Sequence, residues 1–126
     1  MYLEISGANP SFRCSSASTG SGPVSMLFDP PEDPTAWSEA PVRSSGGFGG
    51  GSYTWTVNLP DKQTSKLRRT GKSRDIPLIY AASGITTNNV VFGTHPFRKG
   101  GFVYSDDLKT LYYRYVPGNG TVMFVR

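Results

Sequence analysis

Tyr53-Thr54-Trp55-Thr56-Val57-Asn58-Leu59 decides the fold class, because a large apolar residue stands at every second position. That period places Tyr53, Trp55, Val57 and Leu59 on one face of a strand, toward a core. Thr54, Thr56 and Asn58 then fall on the other face. Downstream, residues 61–75 form a polar connection, and 76–82 read as the next strand. Pro77 has no amide to give to a ladder, so it suggests an edge position or a strand start. Residues 89–92, 102–105, 108–116 and 121–126 complete a meander. Asp106-Asp107 and Pro117-Gly118-Asn119-Gly120 supply turns between them.

Upstream the pattern is weaker. Residues 2–6 alternate and end at Gly7 and Asn9-Pro10, 11–18 suit a polar edge strand, and 24–28 suit a better one. Residues 29–41 carry four prolines, which remove ladder donors and restrict the residues before them, so an extended loop is expected, pinned by Trp37. Ser44 to Ser52, SSGGFGGGS, reads as a flexible Gly/Ser-rich loop in which Phe48 is either a lone anchor or an exposed contact. No sequence repeat of 20–50 residues is apparent.

The composition agrees with a β fold. Gly (15) and Pro (10) are abundant among 126 residues, beside 7 Tyr, 7 Phe and 2 Trp, which suits short strands and tight turns better than long helices. The expected architecture is all-β, one domain over residues 1–126. It is either an antiparallel β-sandwich or a partly open β-barrel, with long Pro/Gly-rich loops. No stretch reaches the roughly 20 apolar residues of a membrane helix. Met1-Tyr2-Leu3-Glu4-Ile5 lacks the basic and apolar regions of a secretory leader, so a cytoplasmic or virion location is expected. The single cysteine, Cys14, excludes an internal disulfide framework and reads as a buried thiol.

Charge is segregated. Residues 1–42 hold one base, Arg13, against five acids, whereas residues 43–126 hold twelve bases against four acids. Such asymmetry points to an anionic partner for the second half or to a head-to-tail contact between copies. The densest run, residues 62–74, contributes Lys62, Lys66, Arg68, Arg69, Lys72 and Arg74 with no acid among them. Mobile cations beside Thr, Ser and Gly are what phosphate contacts require, so this basic loop is the candidate nucleic-acid contact. Its Gly71-Lys72-Ser73 imitates a phosphate loop, but Lys66 stands where that motif needs glycine and a strand follows where it needs a helix.

Aromatic and basic residues on strands can also stack bases, and Tyr104, Tyr112, Arg114, Arg98 and Lys99 are the candidates for a ligand-stacking surface. In the last strands Leu111, Tyr113 and Tyr115 alternate with Tyr112, Arg114 and Val116, and Met123 and Phe124 sit in an apolar run. Strands apolar on both faces belong inside a sandwich or at a subunit interface, so Tyr113, Tyr115, Met123 and Phe124 are expected to pack within or between subunits. His95 is the sole histidine and lies before Pro96, a turn position. A phosphodiester-cleaving role would need an acid and an arginine that no spacing links to it. No metal-ligand spacing and no serine-nucleophile elbow occurs, so neither metal nor cofactor is expected.

Three functions follow as expectations. The first is a non-enzymatic, self-assembling structural protein, such as a small viral or phage coat component, that contacts nucleic acid through the basic loop. The second is a monomeric module binding single-stranded nucleic acid or a polysaccharide through surface aromatics. The third is a small nuclease or toxin centred on His95.

Overall fold

Alternating residues make strands, and in this chain successive strands stack on strands one turn earlier rather than on their sequence neighbours. The computed structural model describes residues 1–67, 73–97 and 99–116. The first turn comprises β1 (Tyr2–Ser6), β2 (Phe12–Cys14) and β3 (Ala17–Ser18). The second comprises β4 (Val24–Asp29), β5 (Val42–Ser44) and β6 (Phe48–Gly50). β7 (Trp55–Asn58) and β8 (Arg74–Ala81) form the third, closed by a parallel bridge from Phe48 to Ile85. β9 (Val90–Phe92) starts a fourth, and the hairpin of β10 (Gly101–Tyr104) and β11 (Thr110–Tyr115) follows.

The strand order fixes the architecture. One sheet runs β1-β4-β7-β9, a second runs β10-β11-β8-β5-β2, and a third is the pair β3-β6. Every pairing in the first and third sheets is parallel, as are β2 with β5 and β5 with β8. Among the described residues, only β8 with β11 and β10 with β11 are antiparallel. The expected all-β class holds. The expected antiparallel pairing holds only for β8, β11 and β10: the rest of the chain winds as a three-sided parallel coil, β9 joins β7 on a different side from the hairpin, and the expected strand 121–126 lies outside the described residues. The coil is itself a structural repeat. Tyr2, Ser25, Thr56 and Val91 stack one above another, but at unequal sequence spacings, because turns of different length separate the strands.

Each side sends stacked rows of residues inward. Leu3, Met26, Val57 and Phe92 form one row, Phe12, Val42, Ile79 and Leu111 another, and Ala17, Phe48 and Ile85 the third. The buried apolar residues join in one cluster, in which Met26, Phe28, Val57, Ile79 and Leu111 are almost fully covered. Ser44, a polar group among the inward residues, is satisfied. Its hydroxyl donates to the Gly47 carbonyl at 2.8 Å and accepts the Gly46 amide at 3.2 Å. Buried hydroxyls need such partners, since an unmatched one costs about 1–3 kcal/mol.

Three local expectations are corrected. Residues 44–52 are not loop throughout: they contain β6, Phe48 is a core residue, and Asn89 donates to the Gly49 and Gly51 carbonyls at 2.8 and 3.1 Å. Tyr53 is 42% exposed rather than in the core, because β7 begins at Trp55 and Tyr53 still belongs to the corner. Gly51 at that corner has φ +99°, and a Cβ there would strike Thr19, so the reversal requires glycine. Pro77 lies inside β8, the middle strand of its sheet, not at an edge or a strand start. β5 pairs only with Ile79, Tyr80 and Ala81, so beside Pro77 the missing donor faces no ladder on that side. A bulge then follows, where β11 steps from Pro77 to Ile79 and both Leu78 and Ile79 turn inward.

The proline-rich segment 30–41 behaves as expected. A 3-10 turn spans Pro34–Ala36, capped by Asp33, and the Trp37 indole N–H donates to the Gly7 carbonyl at 2.8 Å. Its ring meets Phe28 edge-on, which fastens the loop to the core.

Candidate functional site

Stacking of parallel strands aligns residues far apart in sequence, and on the outer face of the five-stranded sheet it aligns arginine with tyrosine. Arg13, Arg43 and Tyr80 are successive partners across β2, β5 and β8. The Arg43 guanidinium lies 4.5 Å from the centre of the Tyr80 ring. Beyond the bulge, Tyr112 pairs with Pro77 and Arg114 with Asp75, on the same outer face. Arg13 approaches Glu39 at 3.4 Å, and Arg114 grips Asp75 through two hydrogen bonds of 2.9 and 3.1 Å. That carboxylate raises the Arg114 pKa further above its ordinary value. Both pairs are solvent-exposed, so each holds weakly and can be exchanged for a phosphate. Arg43 has a ring rather than a carboxylate as its neighbour. The surface thus offers half-exposed rings for stacking and guanidinium groups for anions.

Of the residues expected to form a stacking surface, Tyr112 and Arg114 are on this face, while Arg98 lies outside the described residues. Arg43 and Tyr80 were not singled out from the sequence. The signal that finds them is register, since each is an outward residue one coil turn from the next. Tyr104 points inward with Leu111, its ring 5.8 Å from Phe92.

The basic loop is differently placed. The corner segment after β7 lies beside the acidic corner segment after β4, and the two neutralise one another in part. Lys66 Nζ is 3.3 Å from the Asp29 carboxylate. Arg74 opens β8 half-buried, and the Thr35 hydroxyl and amide, with a weaker contribution from the charge on Arg74, hold Asp33 below its ordinary pKa. Lys62 is exposed in the turn nucleated by Asp61, which accepts from the Gln63 and Thr64 amides. Arg68, Arg69 and Lys72 lie outside the described residues, as do Met123 and Phe124.

Tyr113 and Tyr115 are fully buried within the chain itself, so of the two expected places for them, within or between subunits, they occupy the first. Tyr113 contacts Phe102, and its hydroxyl is 3.4 Å from both the Phe97 amide and His95 Nδ1. His95 is therefore half-buried against Tyr113 and Phe102 rather than free in a surface turn. Among the described residues, no group of three or more His, Cys, Asp and Glu could hold a metal ion, and no helix is long and apolar enough to cross a membrane.

Burial pushes the hydroxyls of Tyr104 and Tyr113 up to about 12 from the ordinary 10. Both are neutral in the fold, whereas the unfolded chain ionises them near 10. The sign is therefore negative with rising pH: stability is flat below about 10 and falls between 10 and 12. A titration followed at 295 nm, with circular dichroism in parallel, should show Tyr104 and Tyr113 ionising only as the fold is lost. Ionisation of every tyrosine near 10 with the fold intact contradicts this.

No protein-family model matches the chain, and no curated protein or solved structure was found to resemble it.

Proposed function

We propose that the chain is a non-enzymatic structural protein that associates with further copies of itself and contacts nucleic acid. The observation that carries this reading is the first turn of the coil, which no other described residues cover. β1, β2 and β3 are all outermost in their sheets, and strand edges left open are templates for another strand. Among the described residues, the inward rows also end there without cover. Phe12 holds a core position yet is 44% exposed, and a cavity of about 270 Å³ opens between Leu3, Phe12, Ala17, Met26, Val42 and Phe48.

A second copy is the occupant this end suits. The surplus of acid in residues 1–42 and of base in the remainder favours contact between the first turn of one copy and later turns of another. Such a head-to-tail contact adds subunits one to the next, into a ring where the rotation closes and a growing chain where it does not. A Phe12→Lys substitution tests it with little risk to the fold, because the side chain is already half in water. Light scattering should give the parent protein a mass that rises with concentration. The variant should stay at 13.7 kDa with an unchanged β spectrum. A parent protein that remains at 13.7 kDa at every concentration ends this reading.

One observation favours the second reading, a monomeric module for single-stranded nucleic acid. It is the arginine and tyrosine face of Arg13, Arg43, Tyr80, Tyr112 and Arg114. Trp37 and Phe48, which would have widened an aromatic surface, are instead in the core. The two readings separate on one run at low and high salt with the 260/280 nm ratio recorded. Particles that carry nucleic acid support the first, and salt-sensitive binding by a monomer supports the second.

A further inference from the structure

Two grooves on the outer surface meet at one arginine. The narrower, about 280 Å³, runs between the β1–β2 corner and the proline-rich segment. Asn9, Ser11, Arg13, Ser38 and Glu39 line it, over the buried Trp37. The wider, about 560 Å³, lies over the ends of β2, β5 and β8 and is lined by Arg13, Arg43, Ser45 and Tyr80. Arg13 borders both, so they form one path across the surface. The two walls of the narrow groove are tied together. The Phe12 amide donates to the Pro41 carbonyl and the Trp37 indole N–H to the Gly7 carbonyl, both at 2.8 Å. A site built in advance spares its ligand the cost of ordering it.

The charges along this path change sign. In the wide groove Arg13 and Arg43 are partners on adjacent strands, about 4.8 Å apart along the sheet. Two guanidinium groups at that spacing suit one phosphate. In the narrow groove the charge is Glu39, 3.4 Å from Arg13 and exposed like it. So open a pair is weak, and a phosphate that takes Arg13 releases the carboxylate to the groove. An ionised carboxylate accepts and does not donate. The bases differ in what they offer it. Guanine presents two adjacent N–H donors, matched to the two carboxylate oxygens. Cytosine and adenine present one amino group beside an acceptor nitrogen. Thymine presents a single N–H between two carbonyls, which repel the carboxylate.

We infer that the narrow groove is a base subsite that prefers guanine. Glu39 accepts from the two guanine N–H donors, while Arg13 and Arg43 hold the phosphate of that nucleotide in the wide groove. The inference rests on the reading of the arginine and tyrosine face as a contact for single-stranded nucleic acid. It adds a choice among bases.

The test titrates the protein, at low salt, with an oligothymidylate and with the same strand carrying one central guanine. The guanine strand should bind about tenfold tighter, within the range for a two-bond base contact. Glu39→Gln should abolish that preference and keep oligothymidylate binding, because the amide has one acceptor oxygen and adds donors. Arg13→Ala should weaken both strands alike, as loss of a phosphate contact does. Were Glu39 only a structural partner of Arg13, its substitution would shift both affinities together and leave their ratio unchanged, which overturns the inference. Equal affinity of the parent protein for the two strands also overturns it, and leaves the reading of the face standing. Binding of neither strand ends that reading as well.

Discussion

Phe48→Ala is expected to cost about 3–5 kcal/mol, the range for deleting a buried phenylalanine, and so to remove most of the stability of a domain this size. The size of the effect comes from position. Among the described residues the third side of the coil has only the β3–β6 pair and the bridge to Ile85, and Phe48, 2% exposed, is the largest side chain of its inward row. Its ring lies 4.5 Å from Trp55, which ties that side to β7. Its carbonyl accepts the Thr86 amide at 2.8 Å and its amide donates to Gly84 at 3.2 Å, so the backbone is held on the next turn as well. Glycines flank it at 46, 47, 49 and 50, leaving no neighbouring side chain to fill the space. Urea unfolding of Phe48→Ala beside Tyr53→Ala checks this, because Tyr53 is exposed and its loss should stay within about 0.5 kcal/mol. Equal midpoints for the two variants would falsify the placement of Phe48 in the core.

The same residue shows what the sequence could and could not say. Local signals were legible: alternation across Trp55 and Val57, and the prolines of the 30–41 corner. A single phenylalanine among glycines carries no period, so its burial depends on Ala17 and Ile85, contacts one turn away in either direction. Parallel stacking was hidden for a related reason. Parallel pairing needs a long return path, and here the returns differ in length and composition, so no repeat survives in the sequence. Pro77 misled because proline in a central strand is uncommon, and the short reach of β5 that permits it is a property of another strand. The candidate site was legible only in halves. Tyr112 and Arg114 are neighbours on one strand, whereas Arg13, Arg43 and Tyr80 meet only through register.

Register also predicts which cations matter. In the basic run 62–74, the Asp29 carboxylate 3.3 Å from Lys66 Nζ offsets part of that lysine's charge. Arg43, by contrast, lies over the Tyr80 ring on the outer face of the sheet, and exchanging its charge changes nothing in the core. The double variant Arg43→Glu with Tyr112→Ala is therefore expected to weaken binding to a single-stranded oligonucleotide about 100-fold at low salt. The variant combines the loss of one stacking ring, worth about 1–3 kcal/mol, with a reversed charge at a phosphate position. The slope of log affinity against log salt should shrink by about 0.7 for each phosphate that is no longer neutralised. Lys62→Glu with Lys66→Glu is the comparison. A larger effect from the lysine pair returns the binding surface to the basic loop. A larger effect from the arginine and tyrosine pair places it on the sheet, where the coil can extend the same surface from one copy to the next.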